Sequence, residues 1–309
     1  MIFDSSDGQD LRINMISPWL KKRFGCKVVK LALDGGFTCP NRDGSKGTGG
    51  CLFCSESGSG DMASSLESGH ALQSQIELLS GKWPDAKYMA YFQNHTNTYA
   101  PAGELRRKFT AALEHPDVIG IAIATRPDCL PEDVLDYLEE LNQSTFMWVE
   151  LGLQTIHDET ARAMNLCHYV SDYDAAVQNL LDRNIRVVTH LILGLPGETH
   201  EMMKASVQHV CARDVFGLKL HMLNVVRGSG MADVMPDYVP FASIDEYVDQ
   251  LIDILEIIPP DITLHRISGD APRSTLIAPE WSYKKRTILN TIHQEMRLRN
   301  TWQGKGLLK

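Results

Sequence analysis

The chain has 309 residues, of which 43% are hydrophobic and 22% are charged, and its formal net charge is −9. This composition is typical of one large or two ordinary globular domains, and it excludes collagen-like, mucin-like and disordered chains. The N-terminal segment M-I-F-D-S-S-D-G-Q-D is polar and acidic, and no run approaches the roughly eighteen apolar residues of a membrane span. We therefore expect a cytoplasmic protein with no membrane partner.

The charges are distributed unevenly along the chain. Residues 1–60 carry 8 basic and 6 acidic side chains, and residues 261–309 carry 9 basic and 4 acidic ones, so the acidic excess lies between them. A nucleic-acid footprint over the whole surface is not expected, but the two ends of the chain can form a local basic patch. The alternative is that these charges lie on solvated helix faces.

Three of the seven cysteines stand close together in the segment T-C-P-N-R-D-G-S-K-G-T-G-G-C-L-F-C-S. They are Cys39, Cys51 and Cys54, and as thiolates they are soft ligands for zinc, copper or an iron–sulfur cluster. A structural zinc ion requires four ligands, whereas a cluster held by three cysteines leaves one iron open. The segment also contains four glycines, Gly44, Gly47, Gly49 and Gly50. Glycine lets a chain turn tightly around a bound group.

Two other kinds of protein compete with an iron–sulfur enzyme. In a zinc-stabilised binding module, Cys26 would supply the fourth thiolate. A metal-free barrel enzyme that binds phosphate would leave the clustered cysteines unexplained. The scattered cysteines Cys129, Cys167 and Cys211 are typical of small buried hydrophobic residues.

Strands and helices are predicted to alternate. An apolar segment, Ile16–Phe24, precedes the predicted strands Lys27–Leu33, Tyr88–Gln93, Val118–Thr125, Phe146–Leu153, Arg186–Leu195 and Gly217–Val226. Apolar residues at helical spacing predict helices at 72–79, 105–113, 131–141 and 173–183. Thr199 is expected to cap a helix through Val210, and Ser243 with Glu246 is expected to form a capping box for a helix through Ile258.

Six strand–helix units in succession predict an α/β fold. Because a full barrel has eight units, we expect a parallel sheet curved into a partial (β/α)6, TIM-like barrel. The chain then divides into an N-terminal lead (1–26), the barrel (27–260) and a small C-terminal extension (261–309). In the extension, 262–264 can add a strand, a polar loop follows, and 283–298 is predicted to be a terminal helix.

Polar residues come at or near the carboxyl end of every predicted strand, where ligand sites of parallel α/β sheets lie. After the cysteine segment these are Gln93 to Thr98, Thr125 to Asp128, Glu150 with Gln154, His190 with Gly194 and Gly197, and Lys219, His221 and Asn224. We interpret this rim as a binding site. Glu150 lies within a buried strand, so its carboxylate needs a partner. Gly194 either turns the chain or lets a planar ligand approach the backbone. His221 is either a residue of the core or a residue of the site.

The motifs resemble those of the radical S-adenosylmethionine (radical SAM) superfamily, and more narrowly its YhcC/YtqA-like family. The resemblance covers about residues 20–280 and rests on the cysteine triplet with Phe53, on D-G-G-F-T-C-P-N-R-D-G, and on A-Y-F-Q, T-R-P-D-C, V-E-L-G-L-Q-T, H-L-I-L-G-L-P-G-E and G-L-K-L-H-M-L. T-R-P-D-C and V-E-L-G-L-Q-T also resemble the radical SAM domain of the Elongator catalytic subunit, which modifies wobble uridines of tRNA.

The resemblance implies a 4Fe-4S cluster on Cys39, Cys51 and Cys54, with S-adenosylmethionine on the open iron. Reductive cleavage would give a 5′-deoxyadenosyl radical that abstracts hydrogen from a substrate. It also implies an electron donor such as flavodoxin or ferredoxin. The expected cofactor contacts are Phe53, Gln93 beside the methionine amino group, Glu150 and Gln154 at ribose hydroxyls or the amino-acid moiety, and Gly194, His221 and Leu223 beside adenine.

One position departs from the family pattern. Relatives carry an arginine in an N-R-G-H-like stretch that can pair with the cofactor carboxylate, whereas this chain reads Asn165-Leu166-Cys167-His168. Leucine cannot pair with a carboxylate. Either Arg126, Arg162 or His168 takes that role, or binding of the cofactor is weaker or altered.

The resemblance further implies a tRNA substrate, in which a wobble-uridine carboxymethylaminomethyl group is trimmed towards aminomethyl. Trp281 and Tyr283 of the extension could stack a base. The basic residues of the extension could hold phosphates; they are Arg266, Arg273, Lys284, Lys285, Arg286, Arg297 and Arg299.

Overall fold

The computed structural model describes residues 3–4, 10–55, 63–65, 71–269 and 271–308. Most of the polar N-terminal decapeptide and one residue of the polar loop, at position 270, lie outside this range. The strands are β1 (Phe3–Asp4), β2 (Asp10–Leu11), β3 (Val28–Asp34), β4 (Ser64–Ser65), β5 (Lys87–Phe92), β6 (Val118–Thr125), β7 (Phe146–Gln154), β8 (Arg186–Leu193), β9 (Gly217–Met222), β10 (Val225–Val226), β11 (Thr263–Arg266) and β12 (Leu276–Ala278).

The α-helices alternate with the strands. They are α1 (Ile16–Phe24), α2 (Ala71–Ser80), α3 (Ala102–Leu113), α4 (Glu132–Ser144), α5 (Asp158–Ala163), α6 (Val170–Asp182), α7 (His200–Cys211), α8 (Gly230–Val234), α9 (Ile244–Glu256) and α10 (Lys285–Leu298). Among the described residues, no helix is long and apolar enough to cross a membrane.

One parallel sheet organises the chain. Its strand order is β11-β9-β8-β7-β6-β5-β3-β4, and each neighbouring pair is parallel. The sheet curls into a half-barrel. The predicted partial barrel is therefore confirmed, with all six predicted strands present and β11 added at one edge.

The two faces of the sheet are covered by different elements. The outer face packs on helices α3, α4, α6, α7 and α9 through residues such as Phe109, Leu138 and Leu251, which are fully buried. On the concave face, Ile16 and Leu20 of α1 pack against buried strand residues that include Trp148. Helix α1 therefore closes the end of the half-barrel at which the strands begin, and the cavity lies towards their carboxyl ends.

The C-terminal residues are tied to the start of the chain. The backbone N–H of Leu264 in β11 donates to the carbonyl of Asn14 at 2.7 Å. The fully buried Gln303 accepts from the Asn14 N–H and donates to the carbonyls of Pro259 and Ile262. Strand β11 is therefore held in place by residues from both ends of the sequence, Asn14 and Gln303.

Two local predictions were wrong. The sixth strand ends at Met222 instead of Val226, because Val225 and Val226 leave the sheet and pair with β12 as a separate antiparallel ribbon. At α9, Ser243 accepts from the Glu246 N–H as expected, but the Glu246 carboxylate accepts from the Ala242 N–H, so the capping box is incomplete. The cap of α7 by Thr199 is confirmed.

Candidate active site

The cysteine loop follows β3 and is held by the elements opposite it. The backbone N–H of Leu52 donates to the carbonyl of Met164 at 3.0 Å, and the Leu52 carbonyl accepts from Met231 N–H at 2.8 Å. Met164 directly follows α5 and Met231 lies in α8, two short helices that the sequence did not reveal. The turn from Cys51 to Cys54, closed by a 3.0 Å backbone hydrogen bond, is therefore fixed from two sides.

Two asparagines hold the shape of this loop. The buried Asn41 amide donates to the Asn165 carbonyl and lies 3.6 Å from the Cys51 sulfur. The Asn165 amide donates in return to the carbonyls of Gly50 and Thr48. Neither asparagine was identified as a site residue from the sequence, although N-R-D beside Cys39 was available as a signal.

Cys39, Cys51 and Cys54 all line one cavity of about 250 Å³ at the carboxyl ends of the strands. A hydrogen bond from the Cys54 thiol, aided by the charge of Arg126 and the Asn41 amide, lowers the pKa of Cys51 to about 7 despite its burial. The shared hydrogen bond and burial raise the pKa of Cys54 well above its ordinary value. Three thiols that face one cavity, with the pKa of Cys51 lowered towards the thiolate, fit the soft-ligand requirement of an iron–sulfur cluster.

The zinc alternative does not fit this geometry. Cys26 precedes β3 and Cys39 follows it, so Cys26 lies at the end of this strand opposite the cysteine loop, and the seven residues of the strand span about 23 Å. In the described part of the chain, no three His, Cys, Asp or Glu side chains are grouped closely enough to hold a single metal ion. A four-iron cluster binds each thiolate through a different iron and takes more widely spaced cysteines.

Most of the expected cofactor residues line the same cavity. They are Phe53, Gln93, Glu150, Gln154, His221 and Leu223. Arg162 and Gly194 lie elsewhere. Arg162 is exposed, with its guanidinium 5.3 Å from the centre of the Tyr169 ring. At Gly194, where φ is +84°, an added Cβ would lie 2.7 Å from the Phe241 ring, so this glycine makes room for packing.

Gln154 reaches the cavity through an irregular strand end. Its φ is +72°, and the pairing of β7 with β8 shifts register between Gly152 and Gln154. A Cβ on Gly152 would lie 2.9 Å from the Gln154 amide nitrogen. The absence of a side chain at Gly152 therefore allows the Gln154 amide to fold back over the strand.

Of the three residues expected to replace the missing arginine, two line the cavity: Arg126 and His168. Arg126 donates to both carboxylate oxygens of Asp128 at 2.9 Å and to the carbonyls of Leu166 and Cys167. Its guanidinium thus lies against the backbone at the position where relatives carry an arginine. Burial and the Arg126 charge lower the pKa of His168 to about 4, so His168 is neutral.

Glu150 lies at the centre of a buried polar network. One of its oxygens accepts from Lys30 at 3.1 Å and from the Trp148 indole at 2.9 Å. The other accepts from His190 at 2.9 Å and from Lys219 at 2.5 Å. A ribose hydroxyl would have to displace one of these four donors.

Charge explains why Glu150 is ionised at this depth. Burial alone would raise the pKa of Glu150, but Lys219 and Lys30 hold it well below its ordinary value. The position of Glu150 within a buried strand predicts a partner, but sequence spacing does not identify Lys30 or Tyr91, whose hydroxyl accepts from Lys219 at 2.6 Å. A lysine within the apolar run of β3 was the available signal.

Family models match nearly the whole folded chain. The Radical SAM superfamily model matches residues 42–210, and the Radical_SAM C-terminal domain model matches residues 215–298. The chain therefore belongs to the radical SAM superfamily. Within that superfamily it belongs to the YtqA/YhcC family, because it is 46% identical to YtqA and 39% identical to YhcC.

YtqA of Bacillus subtilis is 46% identical over 300 residues, which cover 95% of this chain and 92% of YtqA. YhcC of Escherichia coli K12 is 39% identical over 272 residues, which cover 87% of each chain. A tRNA uridine(34) acetyltransferase of Methanocaldococcus jannaschii is 25% identical over 215 residues, covering 66% of this chain and 39% of that protein.

A solved structure has the same fold. The Elp3 structure of Methanocaldococcus infernus aligns with a TM-score of 0.66 at 18% identity, covering 89% of this chain and 64% of that one. At this identity the likeness concerns the fold alone. It agrees with the curled parallel sheet described above.

Proposed function

We propose that the protein is a radical SAM enzyme in which Cys39, Cys51 and Cys54 hold a 4Fe-4S cluster and the adjoining cavity holds S-adenosylmethionine. The observation that carries this proposal is that three thiols from one loop line a single cavity at the carboxyl ends of the strands. When bound, these groups supply a 5′-deoxyadenosyl radical that abstracts hydrogen from the substrate. The protein's part is to position the cofactor and to exclude water from the chamber.

The cofactor contacts that we propose are limited to residues that line the cavity, which leaves out Arg162 and Gly194. Arg126 is proposed to face the cofactor carboxylate, because its guanidinium is held rigidly by four hydrogen bonds on the cavity wall. Gln93 is proposed to meet the methionine amino group and Gln154 the ribose hydroxyls.

The adenine end is proposed to lie between His221 and Leu223, with Phe53 packing the cysteine loop beneath it. Nε2 of His221 is buried and has no hydrogen-bond partner among the described residues. Burial and nearby positive charge hold the pKa of His221 well below its ordinary value, so this ring is a neutral donor or acceptor. A neutral imidazole with an open nitrogen is suited to a nucleobase edge.

The proposed substrate is tRNA, at the side chain of its wobble uridine, with trimming of a carboxymethylaminomethyl group to aminomethyl. Ala271 and Pro272 of the extension line the cavity. Next to them, the Arg273 guanidinium lies 4.5 Å from the centre of the Tyr283 ring, which is 41% exposed. An exposed aromatic ring with a cation beside it is the arrangement that stacks single-stranded bases. The relative named for tRNA uridine(34) supports this choice.

We also propose that residues 261–309 serve as the substrate-binding segment of a barrel formed by 27–260. The reductant is proposed to be a one-electron carrier such as flavodoxin or ferredoxin. The cavity is closed by α1 at the end of the half-barrel where the strands begin, so the substrate is proposed to enter at the opposite rim, which Ala271 and Pro272 of the extension line.

Two experiments test the two levels of this proposal. Protein reconstituted without oxygen should be brown and should release 5′-deoxyadenosine when reduced with S-adenosylmethionine; colourless protein would refute the radical chemistry. Nucleosides of tRNA from cells with and without the protein should differ at the wobble uridine. Unchanged nucleosides would refute the tRNA substrate alone.

Binding offers a sharper test of the extension. Arg273→Ala together with Tyr283→Ala should weaken binding of an anticodon stem-loop by at least about tenfold, since base stacking contributes about 1–3 kcal/mol per base. Lys204→Ala, which removes a partly exposed lysine of α7 that pairs with Glu201, is the matched control. Equal affinity for the two variants would contradict this assignment.

A further inference from the structure

The network around Glu150 forms a layer that we call the polar floor of the cavity, and it contains Lys30, Tyr91, Glu150, His190 and Lys219. These residues come from five different strands, β3, β5, β7, β8 and β9. All but Lys30 line the cavity. Four residues of the polar floor have no part in the proposed binding of the cofactor: Lys30, Tyr91, His190 and Lys219.

The polar floor carries more positive than negative charge. In the part of the chain that the structure describes, Lys30 and Lys219 face a single carboxylate, that of Glu150. His190 adds no charge, because burial and the nearby lysines lower its pKa to about 4. The other ionisable groups that act electrostatically on Lys219 or Glu150 are Arg266, which lines the cavity and is itself partnered, and the neutral histidines His221 and His265.

Lys219 is the group through which this layer can meet a ligand. Its ammonium donates to Glu150 and to Tyr91, and a lysine has three N–H donors. Among the described residues, its third N–H has no hydrogen-bond partner and can therefore meet a ligand in the cavity. Burial, together with the positive charges of Lys30 and Arg266, lowers the pKa of Lys219 to about 7 even though Glu150 acts in the opposite direction. A second anion beside Lys219 would stabilise its charged form and raise its pKa again.

Depth separates the polar floor from the cofactor position. Lys219 precedes His221 by two residues along β9, and Glu150 precedes Gln154 by four along β7. At about 3.3 Å per residue, Lys219 lies about 7 Å deeper than His221. The cysteines follow the carboxyl end of β3, so a cofactor carboxylate bound beside them lies at the rim, away from Lys219.

We propose that the polar floor is a binding subsite for a carboxylate of the substrate, with the Lys219 ammonium as its ligand and Lys30 as the second positive charge. This rests on the proposed function only in taking the cavity as the reaction chamber. A carboxymethylaminomethyl group carries such a carboxylate. The other source of the same chemistry is the carboxylate of S-adenosylmethionine, and the experiment distinguishes the two.

The experiment follows the titration of Lys219 directly. Cluster-loaded protein with S-adenosylmethionine bound is prepared with ¹³C at the lysine ε-carbons, and the Lys219 signal is assigned from its loss in Lys219→Arg, which keeps the charge. If that variant does not fold, the double variant Lys219→Met with Glu150→Gln removes both charges and serves the same purpose. The probe is sodium acetate, and its uncharged isostere acetamide, with ionic strength balanced by sodium chloride, is the control.

Acetate should raise the midpoint of the Lys219 titration by about one pH unit, which corresponds to about tenfold tighter binding of acetate to the protonated form. Acetamide should not move this midpoint, and the titration of Lys204, which lies outside the cavity and pairs with Glu201, should respond to neither compound. An unchanged midpoint, or an equal effect of acetamide, would overturn the subsite. A full rise caused by S-adenosylmethionine alone, with none added by acetate, would assign the site to the cofactor and overturn the substrate assignment.

The two proposals fail separately in these tests. Release of 5′-deoxyadenosine without a response of Lys219 to acetate leaves the radical chemistry intact and removes the subsite. A response of Lys219 without any change in wobble nucleosides leaves the subsite intact and requires a different carboxylated substrate.

Discussion

The ammonium nitrogen of Lys219 on β9 lies 2.5 Å from a carboxylate oxygen of Glu150 on β7, and the two side chains are only 4% and 0% exposed. The strands that carry them are separated by β8, so the ion pair spans the concave face of the sheet. Lys30 reaches the same carboxylate from β3. Charge at the bottom of the cavity is therefore set by three strands that are distant in sequence.

Removal of the carboxylate alone should be costly. Glu150→Gln leaves Lys30 and Lys219 without their counter-charge, and breaking a buried ion pair on one side costs about 3–5 kcal/mol of unfolding free energy. Glu150→Gln with Lys219→Met should recover part of that loss, because both charges are removed. Urea unfolding measures both variants well below pH 7, because loss of Glu150 lowers the pKa of Lys219 below its wild-type value of about 7. A single variant as stable as the double would contradict the coupling.

Arg126→Gln should weaken binding of S-adenosylmethionine by at least about tenfold, because a guanidinium held against the cavity wall is lost. Arg162→Gln is the matched control, since Arg162 is exposed and lies against Tyr169. Equilibrium dialysis of the cluster-loaded variants with labelled cofactor measures the affinity. Equal affinities for the two variants would show that Arg126 does not face the cofactor.

Acid should destabilise the fold partly through His190. Burial keeps the pKa of His190 at about 4, against 6.5 for an unperturbed histidine, so between those values the unfolded chain binds a proton that the folded chain does not. Stability is therefore lost as pH falls from about 6.5 to about 4. His190→Gln, which keeps a donor to Glu150, should reduce this loss by up to about 3 kcal/mol. An unchanged pH dependence of urea unfolding would contradict the assignment.

Gly47→Ala should impair loading of the cluster. A Cβ at this position would lie 2.3 Å from the Asn41 side-chain oxygen and 2.8 Å from the Cys167 sulfur, so Asn41 could not keep its place beside Cys51. Gly103→Ala, in open space within α3, is the control and should be neutral or slightly stabilising. Iron and sulfide content after reconstitution is the measurement, and equal content would argue against a positioning role for Asn41.

Much of the fold could be predicted because its signals are local. The buried apolar runs of β6 and β8 and the caps of α7 and α9 depend on neighbouring residues only, and they were placed to within a few residues. The end of β9 was not placed correctly, because Val225 and Val226 are β-branched and follow an apolar strand closely. They leave the sheet only to meet β12, about fifty residues later.

Within the site, residue types were easier to predict than partners. Glu150 was expected to need a partner, but Lys30 reaches it only because the strand order brings β3 and β7 onto one concave face. Likewise, Arg126 contacts the backbone at Leu166 across 40 residues of sequence, which no spacing rule predicts. Pairings of this kind follow from the tertiary fold.

The central claim is that Cys39, Cys51 and Cys54 alone hold a four-iron cluster able to bind S-adenosylmethionine. Its most direct test is anaerobic reconstitution of the wild type, Cys26→Ala and Cys51→Ala, followed by analysis of iron, sulfide and released 5′-deoxyadenosine. We predict that the wild type and Cys26→Ala carry the cluster and release 5′-deoxyadenosine, and that Cys51→Ala does neither. A wild type that holds one zinc ion, and loses it in Cys26→Ala, would contradict the account.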